Sequence, residues 1–246
     1  MVRSRVLVKL SGEALGGTGG SGIDADSLRH VRSELAELVR SDFQVAVVVG
    51  AGNVFRVRLV GSSVDVELLP LVTADHMGML GTVMNALAVQ SALGSCGIPA
   101  SILTPAPLPG VGGGFSAERG RAMLENGRVV ICGGGTGSPL FSTDTAACLR
   151  AIELEADLVI KGTLTDGVYE ADPRTHPHAR KFDRLTFDEV LQRELKIIDH
   201  TAAVLCRDHG MPMCVYDIRE SGALLRIARG GLVGTLMAAG TASGRR

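Results

Sequence analysis

Short apolar runs rich in β-branched residues recur along the chain at 6–10, 45–49, 100–103, 129–132, 158–161 and 213–217. Such continuous runs belong to strands buried on both faces, and the segments between them carry helical period. Together they predict a mainly parallel sheet with helices packed on either side. The clearest stripe lies in the first connection, where Leu28, Val31, Leu35 and Leu38 share one helical face and Arg29, Arg32, Glu34 and Glu37 point elsewhere. Asp24 or Asp26 is placed to cap its start. Further helices are predicted over 75–94, 116–125, 143–154, 187–193, 201–209 and 221–228. The expected fold class is α/β, a three-layer αβα sandwich around a mainly parallel central sheet. No internal repeat and no long linker interrupts the pattern, so 1–246 reads as one domain. A Pro- and Gly-rich connection over 105–114 lies near its middle, and 238–246 reads as a frayed tail.

Composition then narrows the class of function. With 246 residues, 46% of them hydrophobic, the chain can bury a sizeable core. Its 25 Lys and Arg stand against 26 Asp and Glu, a net charge of -1, which offers no surface for nucleic acid or anionic membrane. Aromatic residues make up 3% with no Trp, so there is no stacking platform for single strands. Cys96, Cys132, Cys148, Cys206 and Cys214 have neither metal-ligand nor redox spacing and read as reduced, mostly buried thiols in a cytoplasmic protein. No metal site of the protein's own is expected. The apolar run after Arg3 and Arg5 is broken by Lys9, too soon for a signal peptide. Residues 77–93 are the most apolar long stretch, yet Asn85 and Gln90 interrupt it and Asp75 and His76 precede it. A buried central helix, not a membrane span, is expected there.

Glycine is abundant, at 32 residues, about twice the usual ~7% share, and it clusters in loops after strands. In an open parallel sheet, ligands sit beyond the carboxyl ends of strands, where loops and helix N-termini present free N–H groups. Four loops qualify: Lys9-Leu10-Ser11-Gly12, Gly50-Ala51-Gly52-Asn53, Gly133-Gly134-Gly135-Thr136-Gly137 and Lys161-Gly162-Thr163. One glycine after a strand is ordinary turn chemistry. Four such loops with Lys9, Arg56 and Lys161 at or just beyond strand ends point to phosphate binding. The run 17–22 matches the spacing of a dinucleotide fingerprint, but it stands several residues past the first strand. No acidic residue closes the second strand, so NAD binding is rejected. No glycine is followed by lysine, so a P-loop is absent.

Over 6–236 the chain resembles the bacterial UMP kinases of the amino acid kinase superfamily. The matching pieces are Val8-Lys9-Leu10-Ser11-Gly12-Glu13 with Gly22-Ile23-Asp24, Gly52-Asn53 with Phe55-Arg56, and Asp75-His76-Met77-Gly78-Met79-Leu80 with Thr82-Val83-Met84-Asn85. Residues 135–144, Asp166-Gly167-Val168-Tyr169 with Asp172-Pro173, and Leu195-Lys196-Ile197-Ile198-Asp199 complete them. The runs at 75–80 and 136–144 are specific to this family; the lysine and glycine loops are shared with the superfamily. The resemblance implies the amino acid kinase fold and transfer of the γ-phosphoryl group from ATP, bound with Mg²⁺, to UMP. It assigns catalysis to Lys9, Arg56 and Asp199, with Asp199 orienting Lys9. UMP is implied to contact Ala51, Asp75, Thr136, Gly137, Ser138, Pro139, Leu140, Phe141, Ser142, Thr143 and Asp144, with Asp75 on the ribose hydroxyls. ATP is implied to contact Lys9, Leu10, Ser11, Gly12, Gly52, Arg56, Thr163, Tyr169 and Asp172. An acceptor lobe over 1–154, an ATP lobe over 155–237, a homohexamer and feedback inhibition by UTP are also implied.

The departures from that family carry expectations of their own. Ala51 stands where glycine is usual, so a methyl group intrudes on the loop or the loop shifts. Val57 and Arg58 follow Arg56 where glycine is normal. Ser138, Leu140 and Ser142 replace Asn, Phe and Thr, and Leu164 replaces a polar residue. Of the basic residues that the family offers to GTP only Arg128 remains, with Gln90, Gly94 and Ser101 at the other aligned places, so a weak or absent GTP response is expected. Asp75, Asp144 and Asp199 also have a plain reading as helix caps. Two other functions fit the superfamily features: a sibling kinase acting on a carboxylate or carbamate, and a nonenzymatic nucleotide-binding protein.

Overall fold

In the computed structural model, which describes residues 4–55 and 69–240, the alternation of side chains along the first strand sets the layering. On β1 (Arg5–Leu10), Val6, Val8 and Leu10 enter one core and Leu7 enters the other. The first core takes the apolar faces of α1 (Ala25–Arg40), α2 (Leu71–Gly94) and α7 (Ala223–Ala228). The second takes α3 (Ala117–Glu125), α4 (Thr143–Glu153), α5 (Phe187–Gln192) and α6 (His200–Asp208). Two cores on opposite faces of one sheet make the expected αβα sandwich.

The strand order is β4 (Gly113–Gly114), β3 (Ala100–Thr104), β5 (Val129–Cys132), β2 (Gln44–Val49), β1, β6 (Leu158–Thr163), β10 (Met213–Asp217), β11 (Thr235–Ala238), β9 (Arg184–Thr186). All neighbours are parallel except β10 and β11. A separate antiparallel pair joins β7 (Val168–Tyr169) to β8 (Lys181–Phe182). From β1 the chain first lays down β2, β3, β4 and β5 on one side, with β5 between β2 and β3, and then returns to β1's other side as β6. The carboxyl end of β1 is therefore the topological switch point, where open α/β sheets place their ligands.

All six expected strands form, and the helices follow the expected ones to within a few residues. The main displacement is α2, which begins at Leu71, a turn before Asp75. Its apolar residues face both the core and the outside, so no stripe marks its start. Asp75 consequently lies inside the helix and is not its cap. The strands β4, β7, β8, β9 and β11, of two to four residues each, were not anticipated, because such short pieces leave no periodic signal. Ala238 still belongs to β11, so the expected tail starts later, and 241–246 lie outside the described residues. Asp24, and not Asp26, caps α1 by accepting the Ser27 N–H at 2.8 Å. All five cysteines are free, four of them buried. Among the described residues no helix is long and apolar enough to cross a membrane.

Candidate active site

Lys9 is the penultimate residue of β1, and its neighbour across the parallel ladder is Lys161 of β6. Residues in register on adjacent strands project to the same side, here toward the core that holds α4. One carboxylate meets both ammonium groups. Asp144, in the first turn of α4, has Oδ1 2.9 Å from Lys9 Nζ and accepts a short hydrogen bond from Lys161 Nζ on Oδ2. Lys161 also donates to the Ile197 carbonyl. Asp144 is the only ion partner of Lys9 among the described residues. All three side chains are nearly out of solvent, at 9%, 7% and 14% exposure for Lys9, Lys161 and Asp144.

Burial pushes the Asp144 carboxyl up, but the two ammonium groups outweigh it and hold the group at about 2. For Lys161 burial dominates and lowers its pKa, with Asp144 opposing. A carboxyl lowered from 3.8 to about 2 stabilises the fold fully above pH 4, and that contribution disappears as pH falls through 2. Acid unfolding should therefore include a loss of about 2 kcal/mol between pH 4 and pH 2. Asp144→Asn should remove that part of the pH dependence, as read by urea melts at each pH.

Asp199, expected to orient Lys9, does something else. It caps α6, accepting the Ala202 N–H at 3.0 Å, and it takes hydroxyl hydrogen bonds from Thr145, at 2.8 Å, and Ser142. Ser142 is itself the cap of α4, receiving the N–H groups of Asp144 and Thr145. The N-termini of α4 and α6 are thus locked together, and both direct positive dipole ends toward the switch point. The carboxylate that holds Lys9 is Asp144, because it stands across from β1 while Asp199 is spent on neutral donors. Of the three aspartates with a plain reading as caps, only Asp199 is one.

The glycine loops hang from α2. Asn85, fully buried, donates to the Gly50 carbonyl at 2.7 Å and exchanges hydrogen bonds with Asn53, whose amide also reaches the Gly22 carbonyl. Thr82 accepts the Gly134 N–H at 2.7 Å. Asp75 accepts the Leu140 N–H at 2.7 Å, and Leu140 needs such support because its φ of 71° is costly for a side chain with a Cβ. In the sequence Asn85 stands as a polar interruption and as the end of the Thr82-Val83-Met84-Asn85 run, with no role assigned to its side chain. A buried amide in an apolar helix must be hydrogen-bonded, which was the available signal. The Ala51 methyl does not enter the loop interior but turns toward Gly81 of α2, where an added Cβ would lie 3.0 Å from it.

Gly12 is packed tightly against the loop after β2. A Cβ there would fall 2.3 Å from the Gly52 nitrogen and 2.6 Å from Asn53 Oδ1. Beside it the Ser11 hydroxyl is buried and has no hydrogen-bond partner among the described residues, as suits a donor for a phosphate oxygen. Thr143 lies against Gly50, whereas Thr136 and Ser138 bond one another in a local turn and Leu140 and Phe141 are exposed. Arg56, Val57 and Arg58 lie outside the described residues.

The residues expected at ATP separate into two groups. Tyr169 and Asp172 line a cavity of 520 Å³ with Arg174, Arg193, Lys196 and Ile197, a volume within the usual range for a nucleotide-sized ligand. Asp172 is clamped by Arg174, and Tyr169 donates to Asp166 at 2.6 Å. Thr163 is outside that lining, its hydroxyl bonded to the Thr165 carbonyl at 2.7 Å. Lys9, Leu10, Ser11, Gly12 and Gly52 belong to the switch point instead. Ile197 links the two, since it lines the cavity while its carbonyl holds Lys161. A smaller cavity of 140 Å³ beside β11 contains none of the expected residues.

This architecture has known counterparts. Residues 4–217 match the amino acid kinase family. A uridylate kinase of Ectopseudomonas mendocina is 49% identical over 233 residues, covering 95% of this chain and 93% of its own. A uridylate kinase of Salmonella typhimurium is 48% identical, covering 96% of each. The crystal structure of the UMP kinase from Bacillus anthracis superposes with a TM-score of 0.92 at 32% identity, over 98% of both chains. Matched in this way over nearly its whole length, the chain belongs to the amino acid kinase family, in its uridylate kinase branch.

Proposed function

We propose that this chain is a UMP kinase that transfers the γ-phosphoryl group of ATP to UMP, giving UDP and ADP in pyrimidine nucleotide synthesis. The observation that carries the reading is the Lys9–Asp144–Lys161 cluster at the switch point, beneath two helix N-termini, in a chain so close to named uridylate kinases. The acceptor phosphate is already anionic, so no general base is required; the task is to align two polyanions and neutralise the group in flight. Lys9, with one described partner where Lys161 has two, can turn its ammonium to a phosphate oxygen at the cost of a single contact. Mg²⁺ bound with ATP would add neutralising charge. Asp199 is suited to hold it, since its oxygens meet only neutral donors, whereas both oxygens of Asp144 face ammonium groups. Arg56 remains the second cation of this reading.

On this reading, 1–154 carries the acceptor site and 155–237 most of the ATP site, with the 520 Å³ cavity taking the part of ATP remote from the phosphates. The assay that tests it follows ADP formation from ATP with UMP, CMP, acetylglutamate or carbamate as acceptor. UMP should be strongly preferred; preference for either carboxylate-type acceptor, or no turnover with any, overturns the reading.

Asp75 carries the acceptor half. A short carboxylate suits a pair of ribose hydroxyls, and the Leu140 N–H keeps it aimed at the 136–144 segment. Asp75→Ala should weaken UMP at least ~10-fold more than ATP, measured by calorimetric titration of each nucleotide. Equal losses would make Asp75 a fold residue only.

The outer face of α2 supports self-association. Met77, Leu80, Met84 and Leu87 are exposed along one side of it, and Asp75 is the helix's only acidic or basic residue besides His76. A sedimentation mass of several subunits is expected, six on the family's pattern; a single-chain mass at micromolar concentration would contradict it. Arg128 donates to Ser101 and to the Ala100 carbonyl at 2.9 and 3.1 Å. That commitment supports the expected weak response to GTP.

A further inference from the structure

We infer that Lys161 is a positioning residue for phosphoryl transfer, acting on Lys9 through the carboxylate they share. The observation is an asymmetry within the cluster. Lys161 is fixed by two hydrogen bonds, to Asp144 and to the Ile197 carbonyl, while among the described residues Lys9 meets only the shared carboxylate, at 2.9 Å. Both lysines stand side by side in the ladder, so the sheet holds their backbones at a fixed spacing.

Counting charge gives the consequence. Two ammonium groups and one carboxylate carry a surplus of one positive charge in a site nearly closed to water. Lys161 saturates Asp144, and the surplus resides on Lys9, the one member free to turn. Without Lys161, Asp144 and Lys9 neutralise one another, the pair tightens, and the phosphate meets no net charge. Among the described residues Asp199 touches neither lysine, its oxygens meeting Ser142, Thr145 and the Ala202 N–H, and the hydrogen bond to Cys206 together with burial keeps the Cys148 thiol from ionising. A lysine with its pKa lowered by burial is retained at this point at a cost to the fold, which a purely structural donor would not require.

This inference rests on the proposed kinase activity, and wild-type turnover of UMP is the control that separates the two. K161M and K161Q are compared, with and without D144N. K161Q keeps a donor for the Ile197 carbonyl and removes only the charge, and it carries the test if K161M does not fold. Both single variants should lose on the order of tenfold to hundredfold in kcat, with KM for UMP changed by less than about threefold. Adding D144N restores the surplus charge and should recover at least about tenfold of the lost kcat. A residue needed only for packing would make the double variants worse than the single ones. Wild-type turnover together with no recovery in the double variants, or full activity in K161Q, overturns the role of Lys161; absence of wild-type turnover overturns the kinase reading instead.

Discussion

Lys9→Ala is expected to lower turnover at least ~100-fold, a loss of about 2.7 kcal/mol or more in the barrier, with UMP affinity changed only a few-fold. The magnitude follows from the site's dryness. Lys9 is 7% exposed and its only described ion partner is Asp144, so the field of its ammonium is little screened and falls on whatever occupies the switch point. The variant is also informative about what remains. Lys161 continues to pair with Asp144, so the cluster becomes neutral and folded, and the loss is confined to the group that faces the phosphate. Steady-state kinetics at saturating ATP decides the matter: turnover within a factor of a few of wild type would mean that Lys9 serves the sheet and not the reaction.

Gly12→Ala should be nearly as damaging, by a different route. The backbone at Gly12 has no left-handed φ, so alanine suffers no conformational penalty there; what it lacks is room. Its methyl would meet the Gly52 nitrogen at 2.3 Å and the Ala51 carbonyl carbon at 2.8 Å, both backbone atoms of the loop after β2. The two phosphate loops must then separate. A loss of roughly 1–3 kcal/mol in stability is expected from overpacking, with turnover reduced more than tenfold because the separated loops no longer converge on one anion. Gly94→Ala is the control. It lies at the end of α2 with nothing within 4 Å of the added methyl, and it should be neutral or slightly stabilising. Thermal melts and initial rates on the two variants distinguish crowding at the site from a general intolerance of alanine.

The strands were legible because each central one is buried on both faces, which leaves a continuous apolar run that only a two-sided sheet explains. Lys9 was legible for the related reason that a lysine ending such a run has no place in a core except at a ligand. Its carboxylate partner was not. Asp144 and Lys9 are far apart in sequence, and the contact exists because β1 returns beneath α4. No spacing along the chain encodes that, and likeness to a family suggested Asp199 instead. Asp199 turned out to hold the two helix N-termini together, a role in keeping with its place just before a helix. The polar grip of α2 was half visible. Asn85 and Thr82 could be seen as polar residues inside an apolar helix, but their targets, the Gly50 carbonyl and the Gly134 N–H, are fixed only by the packing of α2 across the loops. The short strands β4, β9 and β11 escaped because two to four residues cannot display a period.

The contact between Ala51 and Gly81 changes how a departure from a family pattern should be weighed. Alanine at a phosphate loop looks like erosion of the site when position 51 is considered by itself. Across the contact, the methyl that was added on the loop meets a helix residue that has none, and a second methyl at Gly81 would lie only 3.0 Å away. One methyl fits between loop and helix, and two do not. The two positions therefore share a single allotment of space, so that a substitution at either is tolerated or harmful according to what the other already holds. Drift at such a loop is a property of the pair.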